Sequence, residues 1–163
     1  MSLLLNGAKT ATIAGTEMQC IEIYTGESYT LPFHFQNSTG GNIDISSWTL
    51  TTAAKWYTCN IAYPIQSAVE DIVISNLVLD APQPGAPAGL TAAKTGGGTT
   101  GDGYIFLPTT LSGGTGSPPS PTPLVSDSSS VLCIVTLTVV RTDTVSGLVD
   151  TNREPIGVII RYQ

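Results

Sequence analysis

Apolar and polar residues alternate most clearly in the first half of the chain, between Gly26 and Lys55. Leu31, Phe33 and Phe35 are separated by single proline and histidine residues, which is the period of two expected for a strand with one buried face. The NSTGGN segment that follows consists of residues that favour turns. We therefore predict a strand followed by a turn in this region.

The alternation resumes directly after this turn. Residues 43–50, IDISSWTL, again alternate apolar and polar side chains, and Trp48 offers the largest apolar area of any core candidate in this half of the chain. The two segments together predict a β-hairpin whose second arm extends as far as Cys59. Because one face of this hairpin is apolar, a second sheet must cover it.

Further segments rich in β-branched residues predict additional strands, for a total of about seven. Residues 131–141, VLCIVTLTVVR, are apolar on both faces for part of their length, which is typical of a central strand in a packed sandwich. The other predicted strands are residues 19–24, 69–79 (one strand, or two broken near Ser75 and Asn76), 103–108 and 153–162. The predicted core residues are Leu31, Phe33, Phe35, Trp48, Ile105, Leu137, Val139 and Ile159.

The fold class that follows is all-β, a single antiparallel β-sandwich spanning residues 17–163. No segment predicts a helix, and the 17 Gly and 11 Pro of the 163 residues indicate many short strands joined by turns. Two long stretches, residues 80–102 and 109–130, are rich in Gly, Pro and Ser and have no periodic apolar face. We expect them to be surface loops that neighbouring subunits order by contact.

Residues 1–16 predict an extended N-terminal arm outside the sandwich. Leu3, Leu4 and Leu5 are apolar, but the rest of the segment has no sustained period. Burying a leucine is worth roughly 1.5–3 kcal/mol, so we expect the arm to bury these three against another subunit by strand addition. The hypothesis predicts that deleting residues 1–16 leaves a folded, soluble sandwich that no longer assembles.

Composition excludes some partners and favours others. With 11% charged residues and a formal net charge of −6, the chain is poorly suited to neutralising phosphates, so we expect no nucleic-acid partner. Few charges on the surface of a folded domain favour docking and a homo-oligomer. No segment is long and apolar enough to span a membrane, and no export signal precedes the three widely spaced cysteines, so we expect reduced thiols and synthesis in a cytoplasm.

Residues that could carry chemistry are few. His34 is the only histidine, and it lies in the middle of a predicted strand without a G-x-S-x-G motif elsewhere in the chain. No C-x-x-C pair, calcium-loop spacing or phosphate-binding glycine loop is present. We therefore predict no catalytic, metal or cofactor site. Trp48, Trp56, Tyr57 and Tyr63 suggest a different class, a carbohydrate- or receptor-binding module, because aromatic faces stack on sugar rings.

The order of the segments GESYTLPFHF, NIDISSWTL, GYIFLP, VLCIVTLTVVRTD and REPIGVIIRY resembles the small immunoglobulin-like modules of tailed bacteriophages. These modules occur in baseplate and tail proteins, including the N-terminal domain of baseplate upper proteins. Residues 42–50 and 154–162 match most closely, and the resemblance covers residues 26–162. The two long loops, and the lack of a following fibre or coiled coil, depart from that pattern.

The resemblance implies an immunoglobulin-like sandwich that acts as a non-enzymatic structural protein of a phage virion. Its expected partners are other virion proteins of the tail, baseplate or major capsid, with copies of itself beside it. A capsid cement or decoration protein is the alternative within this class. A host-surface glycan is the expected partner if the chain is instead a carbohydrate-binding module. The expected location is the virion, after synthesis in the cytoplasm of the host bacterium.

Overall fold

The protein is an all-β sandwich, as the sequence predicts. The computed structural model describes residues 1–59, 72–74, 78–79, 89–111, 130–142 and 145–161. The strands are β1 (Ser2–Leu5), β2 (Lys9–Ile13), β3 (Thr16–Tyr24), β4 (Tyr29–Gln36), β5 (Thr49–Cys59), β6 (Ile72–Ile74), β7 (Val78–Leu79), β8 (Thr91–Lys94), β9 (Asp102–Leu107), β10 (Ser130–Thr142) and β11 (Val149–Arg161). Across these ranges the one helical segment is a 3₁₀ turn at Gly96–Gly98, and no helix there has the length and hydropathy needed to cross a membrane.

The strands form two sheets, with the orders β1-β4-β9-β8 and β6-β2-β3-β11-β10-β5-β7. The first order, and the run β11-β10-β5 within the second, correspond to the ABED and GFC sheets of an immunoglobulin domain. Most pairs are antiparallel, but β3 pairs in parallel with β11 and β2 pairs in parallel with β6. Strands β2, β3, β6 and β7 supplement the seven of the basic sandwich and raise the number of strands to eleven.

The main core lies between the facing sides of the two sheets. Phe33 and Phe35 meet edge to face at 5.5 Å between ring centroids, and Trp48 meets Phe35 in the same way at 5.4 Å. All eight predicted core residues are buried. Ile159 differs from the other seven because it faces the outer side of the seven-stranded sheet, in a second buried cluster with Ala11, Ile13, Met18, Cys20 and Leu132.

The predicted hairpin within residues 26–55 is wrong, because its two arms belong to different sheets. Strand β4 lies in the four-stranded sheet, whereas β5 begins only at Thr49 and lies in the seven-stranded sheet. Pairing after the turn is limited to the bridge between Gln36 and Asn42 and a bond from the Ile43 N–H to the Phe35 carbonyl. The segment from 43 to 48 then crosses between the sheets and buries Ile45 on the way.

The first long loop is shorter than predicted. Residues 91–94 form strand β8, which pairs with β9 at the edge of the four-stranded sheet. The TAAK sequence of this strand has only small side chains before its lysine, so it carries no apolar pattern that indicates a strand. The greater part of the two predicted loops, residues 80–88 and 112–129, lies outside the described residues, as does Tyr63.

The N-terminal segment is part of this sandwich and not an arm outside it. Strand β1 pairs antiparallel with β4, and the side chains of Leu3 and Leu5 are 5% and 6% exposed in the main core, while Leu4 is 45% exposed. Strand β2 then pairs with β3, so the predicted boundary after Thr16 falls inside a hairpin. The segment buries two leucines by alternation within its own domain, which leaves only Leu4 facing outward.

A glutamine side chain closes the outer edge of β1. The Leu5 N–H donates to the Gln19 Oε1 at 2.9 Å, and the Gln19 Nε2 donates to the Leu3 carbonyl at 2.6 Å. A carboxamide that binds the N–H of one residue and the carbonyl two residues earlier imitates the peptide group of a further strand. Since Gln19 belongs to β3, this contact also joins the two sheets.

The three adjacent leucines provide a matched test of this assignment. We expect Leu3→Ala and Leu5→Ala each to lower the free energy of unfolding by about 2–5 kcal/mol, because each leaves a cavity in the core. We expect Leu4→Ala to change it by less than about 0.5 kcal/mol. Urea denaturation measures all three. Equally small effects at the three positions would show that β1 is not part of the folded core.

Candidate functional site

A histidine–carboxylate pair lies on the outer face of the four-stranded sheet. The His34 Nδ1 lies 2.9 Å from the Asp102 Oδ1, and the Thr100 hydroxyl donates to the Asp102 Oδ2 at 2.5 Å. These two hydrogen bonds, first that from Thr100 and then that from His34, lower the pKa of Asp102. Because the ionised carboxylate can only accept, the His34 Nδ1 carries the proton and donates, and in the neutral imidazole Nε2 is an acceptor.

Strand register explains why these residues meet. His34 of β4 is paired with Leu4 of β1 on one side and with Asp102 of β9 on the other, so the three form a row across the sheet. This row borders a surface groove of about 360 Å³, which is also lined by Asn6 and Pro32. The groove combines apolar walls with an imidazole, a carboxylate and an amide, the composition of many small-ligand sites.

The next row of the same face adds an exposed aromatic ring. Tyr104 is paired with Pro32 and lies two residues after Asp102, so both side chains are on the outer face. Tyr104 is 38% exposed. The outer face therefore presents an aromatic side chain beside the polar pair.

The described residues that line the groove include no nucleophile for a Ser-His-Asp mechanism. Such a mechanism requires a hydroxyl or thiol within reach of the His34 Nε2, and no serine, threonine or cysteine is among those residues. Within the described ranges, no group of three or more His, Cys, Asp or Glu side chains could hold a metal ion. The arrangement is suited to binding by stacking and hydrogen bonding.

A second candidate surface is the tip of the β10–β11 hairpin, where apolar side chains are exposed. Val145, Leu148 and Val149 are 96%, 72% and 62% exposed. The base of the tip is well held: the Arg141 guanidinium pairs with Asp150 and lies 5.2 Å from the centroid of the Trp48 ring. The apolar tip is therefore presented by an ordered base rather than by a free loop.

Two cysteines are buried and chemically protected. Burial raises the pKa of the Cys20 thiol to about 12 and raises the pKa of the Cys133 thiol still further. Both are free thiols. The Cys20 sulfur packs against Gly157, where only glycine leaves enough room, because an added Cβ would lie 2.3 Å from the sulfur. Thiolate is the reactive form, so neither residue is suited to nucleophilic or redox chemistry.

Of the four aromatic residues from which the sequence suggests a sugar site, the three that the structure describes are not brought together on an accessible surface. Trp48 and Trp56 are buried, and the Trp56 Nε1 donates to the Leu111 carbonyl at 3.2 Å. Tyr57 is partly buried against the outer cluster. Sequence analysis missed Asp102 and Tyr104 as site residues, although the period of two in β9 could have placed them on one outward face.

Comparisons with known proteins leave the family open. No protein-family model matches the chain, and no curated protein matches it. Among solved structures, the chain is similar to the crystal structure of MtrC from Shewanella baltica OS185, with 12% identity and a TM-score of 0.32. That similarity covers 98% of this chain and 23% of the other chain.

The hydrogen bonds to Asp102 predict how its titration responds to substitution. We expect the pKa of Asp102 to lie below 3.8 and to rise in both Thr100→Val and His34→Ala, with the larger rise in Thr100→Val. Since the folded-state pKa is lowered, the stabilisation from this group is present above pH 3.8 and is lost as the pH falls through the folded-state value. Carbon-detected NMR of the carboxyl group measures each titration. A pKa that neither substitution raises would contradict the pair.

The burial of the Cys20 and Cys133 thiols predicts how they react with an alkylating reagent. In a Cys59→Ser background, we expect Cys20 and Cys133 to resist iodoacetamide at pH 8 in the native protein and to react fully in denaturant. Mass spectrometry of the alkylated protein measures this difference. Rapid labelling of either thiol in the native state, at the rate seen in denaturant, would show that it is not buried as described.

Proposed function

We propose that this chain is a non-enzymatic structural protein of a tailed-phage virion, which docks on neighbouring virion proteins. The observation that carries the proposal is the exposed apolar tip of the β10–β11 hairpin. The immunoglobulin-like strand order supports it, together with the sequence resemblance to phage modules. A tail or baseplate position is narrowly favoured over that of a capsid decoration protein.

The tip is built as a contact surface. Val145 and Leu148 expose most of their side chains, in a chain with few charges overall. Covering a leucine or valine of this kind is worth roughly 1.5–3 kcal/mol, so a partner that covers the whole tip gains substantial affinity from a small area. Apolar side chains grouped at one end of a domain are typical of protein interaction sites.

The hairpin also extends past β3, which makes the β11 side of the tip accessible, while on the other side β5 pairs with β10 as far as Val140. Strand β11 pairs with β10 along its whole length, but its pairing with β3 begins only at Ile156. Pro155 lies just before Ile156, so β3 does not need a hydrogen bond from the N–H group that proline lacks. Within β11, the stretch from Val149 to Pro155 therefore pairs with β10 alone. The tip lies beyond the part of β11 that pairs with β3.

A protein partner fits this surface better than nucleic acid. Among the described residues from 141 to 150, the only Lys or Arg is Arg141, and its guanidinium already pairs with Asp150. Phosphate recognition depends on available Lys and Arg side chains, while the tip presents aliphatic side chains. Docking between proteins is therefore the activity that the surface supports.

The experiment compares particles that carry tip variants. We expect Leu148→Asp and Val145→Asp to leave the melting temperature of the purified chain nearly unchanged but to remove the chain from density-purified phage particles produced by complementation. Thr151→Asp is the matched control, because it adds the same charge to an exposed position on β11, and we expect it to incorporate normally.

Two results would contradict the proposal. Absence of the unaltered chain from purified particles would exclude a virion role. Normal incorporation of both tip variants would show that docking uses a different surface.

A further inference from the structure

Two neighbouring rows of side chains lie on the four-stranded sheet, on the side away from the core. Leu4, His34 and Asp102 form one row across three strands, and Pro32 and Tyr104 form the next. With strands about 4.8 Å apart, the first row spans on the order of 10 Å and the second about 5 Å, so the face has the scale of a short saccharide. The groove is lined by the first row and by Pro32, and it is a shallow surface feature and not a closed cavity, with Tyr104 on the strand beside it.

The polar groups on this face retain hydrogen-bonding capacity toward solvent. The Asp102 side chain is 47% exposed, and each of its oxygens has accepted one bond within the protein, from His34 or from Thr100. A carboxylate offers about four acceptor positions, so two are left for a ligand. The His34 side chain is 29% exposed, and its Nε2 is available as an acceptor in the neutral form.

We propose that this face binds a neutral saccharide. The Tyr104 ring stacks on the apolar face of a pyranose, Leu4 and Pro32 contact its C–H groups, and Asp102 and His34 accept hydrogen bonds from its hydroxyls. This arrangement explains why an exposed aromatic and an exposed leucine lie beside a carboxylate whose position is fixed by two hydrogen bonds. The inference does not rest on the proposed virion role.

The negative charge of this face favours neutral over acidic saccharides. Asp102 is ionised, since its hydrogen bonds lower its pKa, and the whole chain has a formal net charge of −6. An acidic sugar brought to this face meets like charge, which disfavours binding. A neutral sugar instead supplies hydroxyl donors to two acceptors. The preference for neutral over acidic saccharides is therefore part of the proposal.

The test is an NMR titration of the full chain with three neutral probes, cellohexaose, maltoheptaose and N-acetylchitohexaose, and with sialyllactose as the acidic comparison. We expect at least one neutral probe to give saturating shifts confined to β1, β4 and β9, and sialyllactose to give none. We expect Tyr104→Ala to weaken that binding roughly tenfold or more, and His34→Ala to weaken it by a smaller factor.

Tyr24→Ala is the matched control, because Tyr24 is 39% exposed, nearly the same as Tyr104, but lies on β3 in the other sheet. We expect it to leave saccharide affinity unchanged. Asp102→Asn keeps the size of the side chain, and we expect reduced saccharide affinity together with a slightly lower melting temperature, because it also removes the charge that the hydrogen bonds from Thr100 and His34 stabilise. The proposal is overturned if no neutral probe shifts this face, if Tyr24→Ala weakens binding as much as Tyr104→Ala, or if sialyllactose binds best. None of these outcomes bears on incorporation into particles.

Discussion

The contact between the inner faces of the two sheets is the interaction on which the rest of the structure depends. Alternate residues of β4 and β9 meet alternate residues of β10 and β11 across it, and the ring of Trp48 joins Phe35 where the chain crosses from one sheet to the other. Within the four-stranded sheet the inner face is also filled, since a Cβ on Gly103 would lie 2.2 Å from the ring of Phe33, its partner on β4. Core packing therefore fixes the registers that bring outward-facing residues together.

The N-terminal segment shows how an edge strand is protected. The Gln19 side chain binds the two main-chain groups of β1 that another strand would otherwise pair with. Because Gln19 comes from the opposite sheet, the same contact holds β1 against the core and keeps Leu3 and Leu5 buried. An apolar segment at a chain end thus serves its own domain, and among the described residues the two candidate contact surfaces are the outer sheet face and the hairpin tip.

These two surfaces differ in how far sequence analysis could find them. His34 stands out in the sequence as the single histidine, but its partner Asp102 is 68 residues away and is brought beside it only by the pairing of β4 with β9. Val145 and Leu148 lie between the predicted strands 131–141 and 153–162, and composition does not show that this segment forms the tip of a long hairpin. Apolar side chains in a turn indicate a candidate contact surface once the length of the strands on either side is known.

The sequence by itself determined the all-β class, most of the strands and the buried residues, because a period of two in polarity reports which side chains face a core. It did not determine which strands pair. The turn after Gln36 has the composition of a hairpin turn, yet the chain crosses to the other sheet, since local turn chemistry is the same for both paths. Only the tertiary structure decided that crossing, the burial of Leu3 and Leu5, and the meeting of His34 with Asp102, because each depends on contacts between residues distant in sequence.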